Sequence, residues 1–174
     1  MRGEKGNRIP SKGRDYRSKL DDAEGYGKVW EIVKDTVKDH LGEYRAAMML
    51  FLDDLPLRLG AYHPLGTNNI VLNRRLVQTV EVATDSKRLL NAFVYVLLLH
   101  EYLHALGYVQ ESRVRRLVYQ VSRASFGDRH IVPRLAKAGP WSLLKKIPLK
   151  AVEAPKRLME IVKGFERTDQ DYIA

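Results

Sequence analysis

The chain has 174 residues and a mass of 20.0 kDa, 45% hydrophobic and 29% charged, with 30 Lys and Arg against 21 Asp and Glu and a pI near 9.7. That size and balance indicate one domain with an ordinary core, exclude disorder over most of the length, and favour polyanions or acidic surfaces as partners. The chain has no Cys, which excludes disulfide frameworks, Cys-ligated zinc, iron–sulfur clusters and thiol nucleophiles, so a metal would rest on His and carboxylate.

Residues 1–25 are rich in Gly, Ser, Arg and Lys, and the first twenty carry seven basic and two acidic side chains. This composition predicts a basic flexible tail. It lacks the apolar stretch of a secretory signal, and the longest apolar run, residues 92–99, is far short of the roughly 20 residues that span a bilayer. The expectation is a cytoplasmic protein with no membrane span. Only four Gln and five Asn accompany the missing Cys, a composition similar to that of proteins from heat-loving organisms.

From Tyr26, apolar residues recur at helical spacing through Val29, Trp30, Val33 and Val37 to Leu41, Met48 and Leu52, predicting one long helix or two consecutive ones. A turn-prone stretch follows from Asp53, punctuated by Pro56, Gly60, Pro64 and Gly66. Ile70–Leu72 reads as a strand, and residues 77–82 fit either strand or helix. Lys87–Leu106 predicts a strongly apolar helix stopped by Gly107, and Glu111–Ala124 a second helix burying Val114, Leu117, Val118 and Val121. Beyond residue 126 the chain is basic and interrupted by Pro133, Pro140, Pro148 and Pro155, with a last helix expected over residues 154–166. The expected organisation is a tail (1–25), a metal-binding core (26–126) and a basic, Pro-interrupted helical extension (127–174).

Late in the apolar helix stands His100-Glu101-Tyr102-Leu103-His104. At about 3.6 residues per turn the two His lie one above the other, so both imidazoles can reach one metal ion. Glu101 is rotated by about 100° and is better placed to take a proton from water beside that ion than to ligate it. Two His, a free carboxylate and an open coordination position suit zinc-dependent hydrolysis, with Glu101 as general base and Zn2+ as cofactor. The bland alternative is a pair of polar residues near a helix end.

HEYLHALG resembles the metal-binding helix of zincin metallopeptidases, and the resemblance extends over roughly Tyr26–Ala124. It implies a helix-rich α+β fold with a small sheet beside the HEYLH helix, a peptide or protein substrate, and a strand above the cleft that pairs with substrate. Residues 60–73 occupy the place of that strand. Zincins whose helix ends HExxHxxGxxH would have His at position 110, where this chain has Gln110. The gluzincin-like group instead takes Glu from a following helix, which selects Glu111 as third ligand. The other reading of Glu111 is an acid favoured in a first helical turn. His130 and His63 are reserve ligands, with Asp128 as a residue that would orient His130. Zincins also stabilise the oxyanion through Tyr or His outside the metal helix, and Tyr62, His63 and Tyr119 are the candidates.

The second signal is charge: residues 113–157 hold twelve basic and two acidic side chains. Arg113, Arg116, Arg129, Arg134, Lys145 and Lys146, with Arg8, Lys12, Arg14 and Arg17 of the tail, are candidate contacts to a phosphate backbone, and Trp141 and Tyr119 can stack on bases. This supports the alternative of an RNA-bound or ribosome-bound structural protein on a zincin-like core.

Overall fold

The computed structural model describes residues 15–145 and 155–166. Two helices come first, α1 (Tyr16–Asp21) and α2 (Gly25–Leu41). Residues 15–25, expected to be tail, thus contribute Tyr16, Leu20 and Ala23 to the core, and the Asn91 amide donates to Leu20 O and Ala23 O to fix the α1–α2 turn. α2 buries Val29, Trp30, Val33 and Val37 along one stripe and ends at Gly42, whose φ of 70° reverses the chain.

That reversal corrects the helical expectation for residues 43–52. Met49–Asp53 is a strand, β1, in which Leu50 is fully buried while Met49 is exposed. A short continuous apolar run such as MMLFL has no periodicity that separates strand from helix, and pairing with partners distant in sequence makes the choice. β2 (Ala61–Tyr62) and β3 (Asn69–Asn73) follow, and the ambiguous residues 77–82 belong to a helix, α3 (Arg74–Thr84). β1 and β3 run parallel, with Leu50 opposite Ile70 and Leu52 opposite Leu72, and β2 lies antiparallel on the outer edge of β3.

α4 (Lys87–Ala105) is the central element, capped by the Ser86 hydroxyl at Leu89 N and in contact with α1, α2, α3, α5, α6 and the β2–β3 side of the sheet. Every residue from Ala92 to Leu99 is buried, as expected of a helix surrounded on all sides. α5 (Glu111–Phe126), α6 (Ile131–Ala138) and the single turn α7 (Trp141–Leu144) complete the helices. α6 packs on α4 and α5, so this part of the expected extension is continuous with the core.

Of the last helix expected, over 154–166, residue 154 lies outside the described residues, and 155–166 form instead a non-helical segment containing β4 (Glu160–Ile161), antiparallel to β1. Its periodicity is overridden by specific anchors. Arg157 donates from Nε and from the backbone to the buried Asp54 carboxylate at 3.0 and 2.9 Å, and Phe165 stacks on Trp30 with ring centroids 4.8 Å apart. The described fold is therefore α+β, helix-rich, with a four-stranded sheet ordered β2-β3-β1-β4. No helix among the described residues is long and apolar enough to cross a membrane.

Candidate metal centre

The site forms where α4 ends. Gly107, at a φ of 100°, turns the chain back, and the backbone N–H groups of Gly107 and Tyr108 donate to His104 O and Leu103 O at 3.0 and 3.1 Å. This closure brings the Tyr108 carbonyl to 2.8 Å from His104 Nδ1. The Tyr108 ring is held in turn, with its hydroxyl donating to Glu43 and the Arg113 guanidinium 4.8 Å from its centroid. Three residues later α5 begins, with Glu111 in its first turn facing back towards α4.

Two imidazole nitrogens and the two oxygens of one carboxylate converge as a result. His100 Nε2 and His104 Nε2 are 3.2 Å apart, and the Glu111 oxygens lie 2.9 Å from His104 Nε2 and 3.2 Å from His100 Nε2. Zn–N and Zn–O bonds of about 2.0–2.1 Å in tetrahedral geometry separate neighbouring ligand atoms by about 3.3 Å. Each of the three contacts lies within a few tenths of an ångström of that separation, and one ligand atom from each residue lies within 4.8 Å of the other two, so the group could hold a metal ion.

The Tyr108 carbonyl can only accept, so His104 Nδ1 carries a proton and Nε2 is the nitrogen turned towards His100 and Glu111. Nε2 faces a carboxylate oxygen at 2.9 Å, a pair that either a proton on Nε2 or a metal ion between the two atoms would satisfy. A carbonyl that fixes the tautomer is also the usual outer partner of a metal-ligating His.

Glu101 is 8% exposed, and burial pushes its carboxyl up to about 7, with the Glu111 carboxylate adding to the shift and His104 and the His63 backbone opposing it. Burial lowers the His100 imidazole, while Glu111 raises it. The three converging side chains reach solvent, those of His100, His104 and Glu111 being 25%, 16% and 57% exposed.

The wall opposite α4 is set by the loop before β2. The Asn73 amide donates to the carbonyls of Leu55, Pro56 and Leu59 at 3.2, 3.0 and 2.8 Å, and a Cβ on Gly60 would fall 2.8 Å from Leu97 Cδ2. A loop pinned by Asn73 and a residue without a side chain bring β2 against α4 one turn before the motif. From the other side, Arg45 donates to Thr67 O at 3.0 Å and to Ala105 O at the end of α4.

His63 lies at this wall, half-buried, with Nδ1 2.8 Å from Asn69 O and its backbone beside Glu101, and it is outside the ligand triangle. Tyr62 is the half-buried second residue of β2. Tyr119 is eight residues beyond Glu111 on α5, about 12 Å further along the axis, and is not brought to the site. His130 is also elsewhere: it caps α6 by accepting from Val132 N at 3.2 Å and meets Asp21 Oδ1 at 3.1 Å. Asp128 pairs with Arg123 rather than with His130, because the α5–α6 turn points it back along α5.

Of the candidate nucleic-acid contacts, Arg17, Arg113, Arg116, Arg129, Arg134 and Lys145 are exposed, while Arg8, Lys12, Arg14 and Lys146 lie outside the described residues. Sequence reasoning missed three contributors to the centre: the Tyr108 carbonyl, Asn73, and Arg115, whose Nε is 3.9 Å from Glu111 Oε2. A backbone acceptor has no side-chain signature, although Gly107 marked the turn that supplies it. Comparison with family models, curated proteins and solved structures finds no match to this chain.

Proposed function

We propose that the protein is a zinc-dependent peptidase of zincin type, with His100, His104 and Glu111 as ligands and Glu101 as general base. The observation that supports the reading is the convergence of His100, His104 and Glu111, one ligand atom from each lying within 4.8 Å of the others, with His104 Nδ1 turned to Tyr108 O so that its Nε2 faces the carboxylate. A zinc ion held there would polarise a scissile carbonyl and lower the pKa of water.

The chain's own residues supply the remainder. Glu101 stands one residue from His100 on an adjacent face of α4, in a buried position where its carboxyl and carboxylate forms are close in energy. A group so balanced can take a proton from attacking water and return it to the departing amine. The edge of β2 away from β3 leaves the backbone groups of Ala61 for an extended peptide to pair with, next to Glu101. Tyr62 and His63 flank that edge as donors to a developing oxyanion.

Metal analysis of protein purified without chelator, together with a peptide-hydrolysis screen, tests this. The expected result is about one zinc per chain, kept in Glu101→Gln but lost in His104→Ala, with hydrolysis absent from both. Unchanged turnover in Glu101→Gln would remove the base, and a folded, metal-free wild type would remove the centre.

A further inference from the structure

A second surface of note is carried by α5, α6 and α7, where positive charge is concentrated. From Ser112 to Lys145 the chain has eight Lys and Arg and a single acid, Asp128, which is used by Arg123. All eight basic side chains are exposed. Arg115 is drawn to Glu111, leaving Arg113, Arg116, Arg129, Arg134, Lys137 and Lys145 without an ion pair among the described residues. Elsewhere cations are commonly matched, as in Lys28–Glu31, Lys34–Glu166, Arg88–Asp21 and Arg157–Asp54. The uncompensated positive charge of the described chain is thus concentrated on one helical layer.

The arrangement on that layer is regular. Arg116 and Arg123 are seven residues, or two helical turns, apart on the solvent face of α5, with Tyr119 half-exposed between them. Arg134 and Lys137 share the solvent face of the adjoining α6, and Arg129 sits in the turn that joins the two helices. Trp141, 37% exposed, follows at the start of α7. Most of these cations are arginine, whose planar fork matches phosphate oxygens and also stacks on bases. Aromatic rings among cations are what unstacked bases use, and only a single strand presents its bases to them.

We infer that the α5–α7 layer binds a single-stranded nucleic acid, chiefly through its phosphates, with Trp141 as a stacking platform. Tyr119 supplies a second ring on the same layer.

The test is fluorescence anisotropy of the full chain with an oligouridylate of about twenty nucleotides, a length that covers more than one site. Neutralising about five phosphates on a single strand gives a slope of log affinity against log salt near −3.5, so raising monovalent salt from about 50 to about 200 mM should weaken binding about 100-fold. Arg116→Gln, Arg129→Gln and Arg134→Gln together should flatten that slope by about 2, whereas Lys28→Gln, Arg58→Gln and Lys163→Gln, with the same change in net charge, should leave it unchanged. Trp141→Ala should cost about fivefold or more for the oligouridylate and nothing for dextran sulfate, which has no bases. Glu101→Gln should bind as wild type does, and circular dichroism of each variant confirms folding. Equal losses in the two triple variants would overturn the proposal, as would a duplex bound as tightly as the single strand. Polyglutamate bound as tightly as the oligouridylate would also overturn it, pointing to an acidic protein partner.

Discussion

Replacing Glu111 by Gln should move the stability of the metal-free protein and its response to zinc in opposite directions. Without metal and with a neutral His104, its Nε2 and Glu111 Oε1 face each other at 2.9 Å as two acceptors, Nδ1 being committed to Tyr108 O. The side-chain amide introduced by Glu111→Gln can donate to that lone pair. Because the side chain is 57% exposed and water competes, the gain is at most about 1 kcal/mol, or about 2–4 °C in Tm for a chain of this size. With free zinc at about 100 times the wild-type Kd, the wild type should gain about 2.7 kcal/mol, or about 5–11 °C. Loss of a charged ligand should weaken zinc at least about 100-fold, the upper end for mere outer-shell partners. At the same zinc concentration the variant then gains only about 0.4 kcal/mol, or about 1–2 °C. Calorimetric scans with chelator and with buffered zinc measure both quantities. If Glu111 served only the α5 dipole, the substitution would lower metal-free stability by about 0.3–1 kcal/mol and leave the zinc shift intact, and that result would refute the ligand assignment.

Asp54→Ala should be severe, because it leaves the buried Arg74 and the bound Arg157 without their carboxylate: about 3–5 kcal/mol, seen as a Tm fall of about 10 °C. Arg157, with Arg74 assisting, holds the Asp54 carboxyl well below the usual carboxylate range. The folded pKa being depressed, the stability it contributes is fully present above about pH 5 and is lost below that as the unfolded chain takes up the proton first, which urea titrations at falling pH should register and Asp54→Asn should abolish. Phe165→Ala removes a ring stacked on the fully buried Trp30, at a cost of about 3–5 kcal/mol. Hydrogen exchange should then quicken first at Val162 N–H, whose bond to Leu50 O ties the C-terminal segment to β1.

The sequence by itself determined what depends on neighbours within about one helical turn. His100, Glu101 and His104 are local because the helical period alone decides which side chains share a face, and the strongly apolar context made that helix certain to form in the core. Stop signals were equally legible: Gly107 ended α4 where expected, and Glu111 opened α5. The basic character of residues 112–145 was also plain from composition.

Tertiary structure decided everything that needs two distant segments to meet. The apolar side chains of Met49–Leu52 are compatible with helix, and only pairing with β3 on one edge and β4 on the other makes the segment a strand. Residues 160–161 joined the sheet because Asp54, Trp30 and Lys34, all more than a hundred residues from the groups they bind, hold the segment beside β1. His130 was a reserve ligand on residue type alone, and its packing against Phe126 and Asp21 assigns it to capping α6. The meeting of Glu111 with the two motif histidines has the same origin. A glycine turn aims Glu111 at the imidazoles and a backbone carbonyl fixes the tautomer, and neither the direction of a turn nor the partner of a ring nitrogen is encoded in residue spacing.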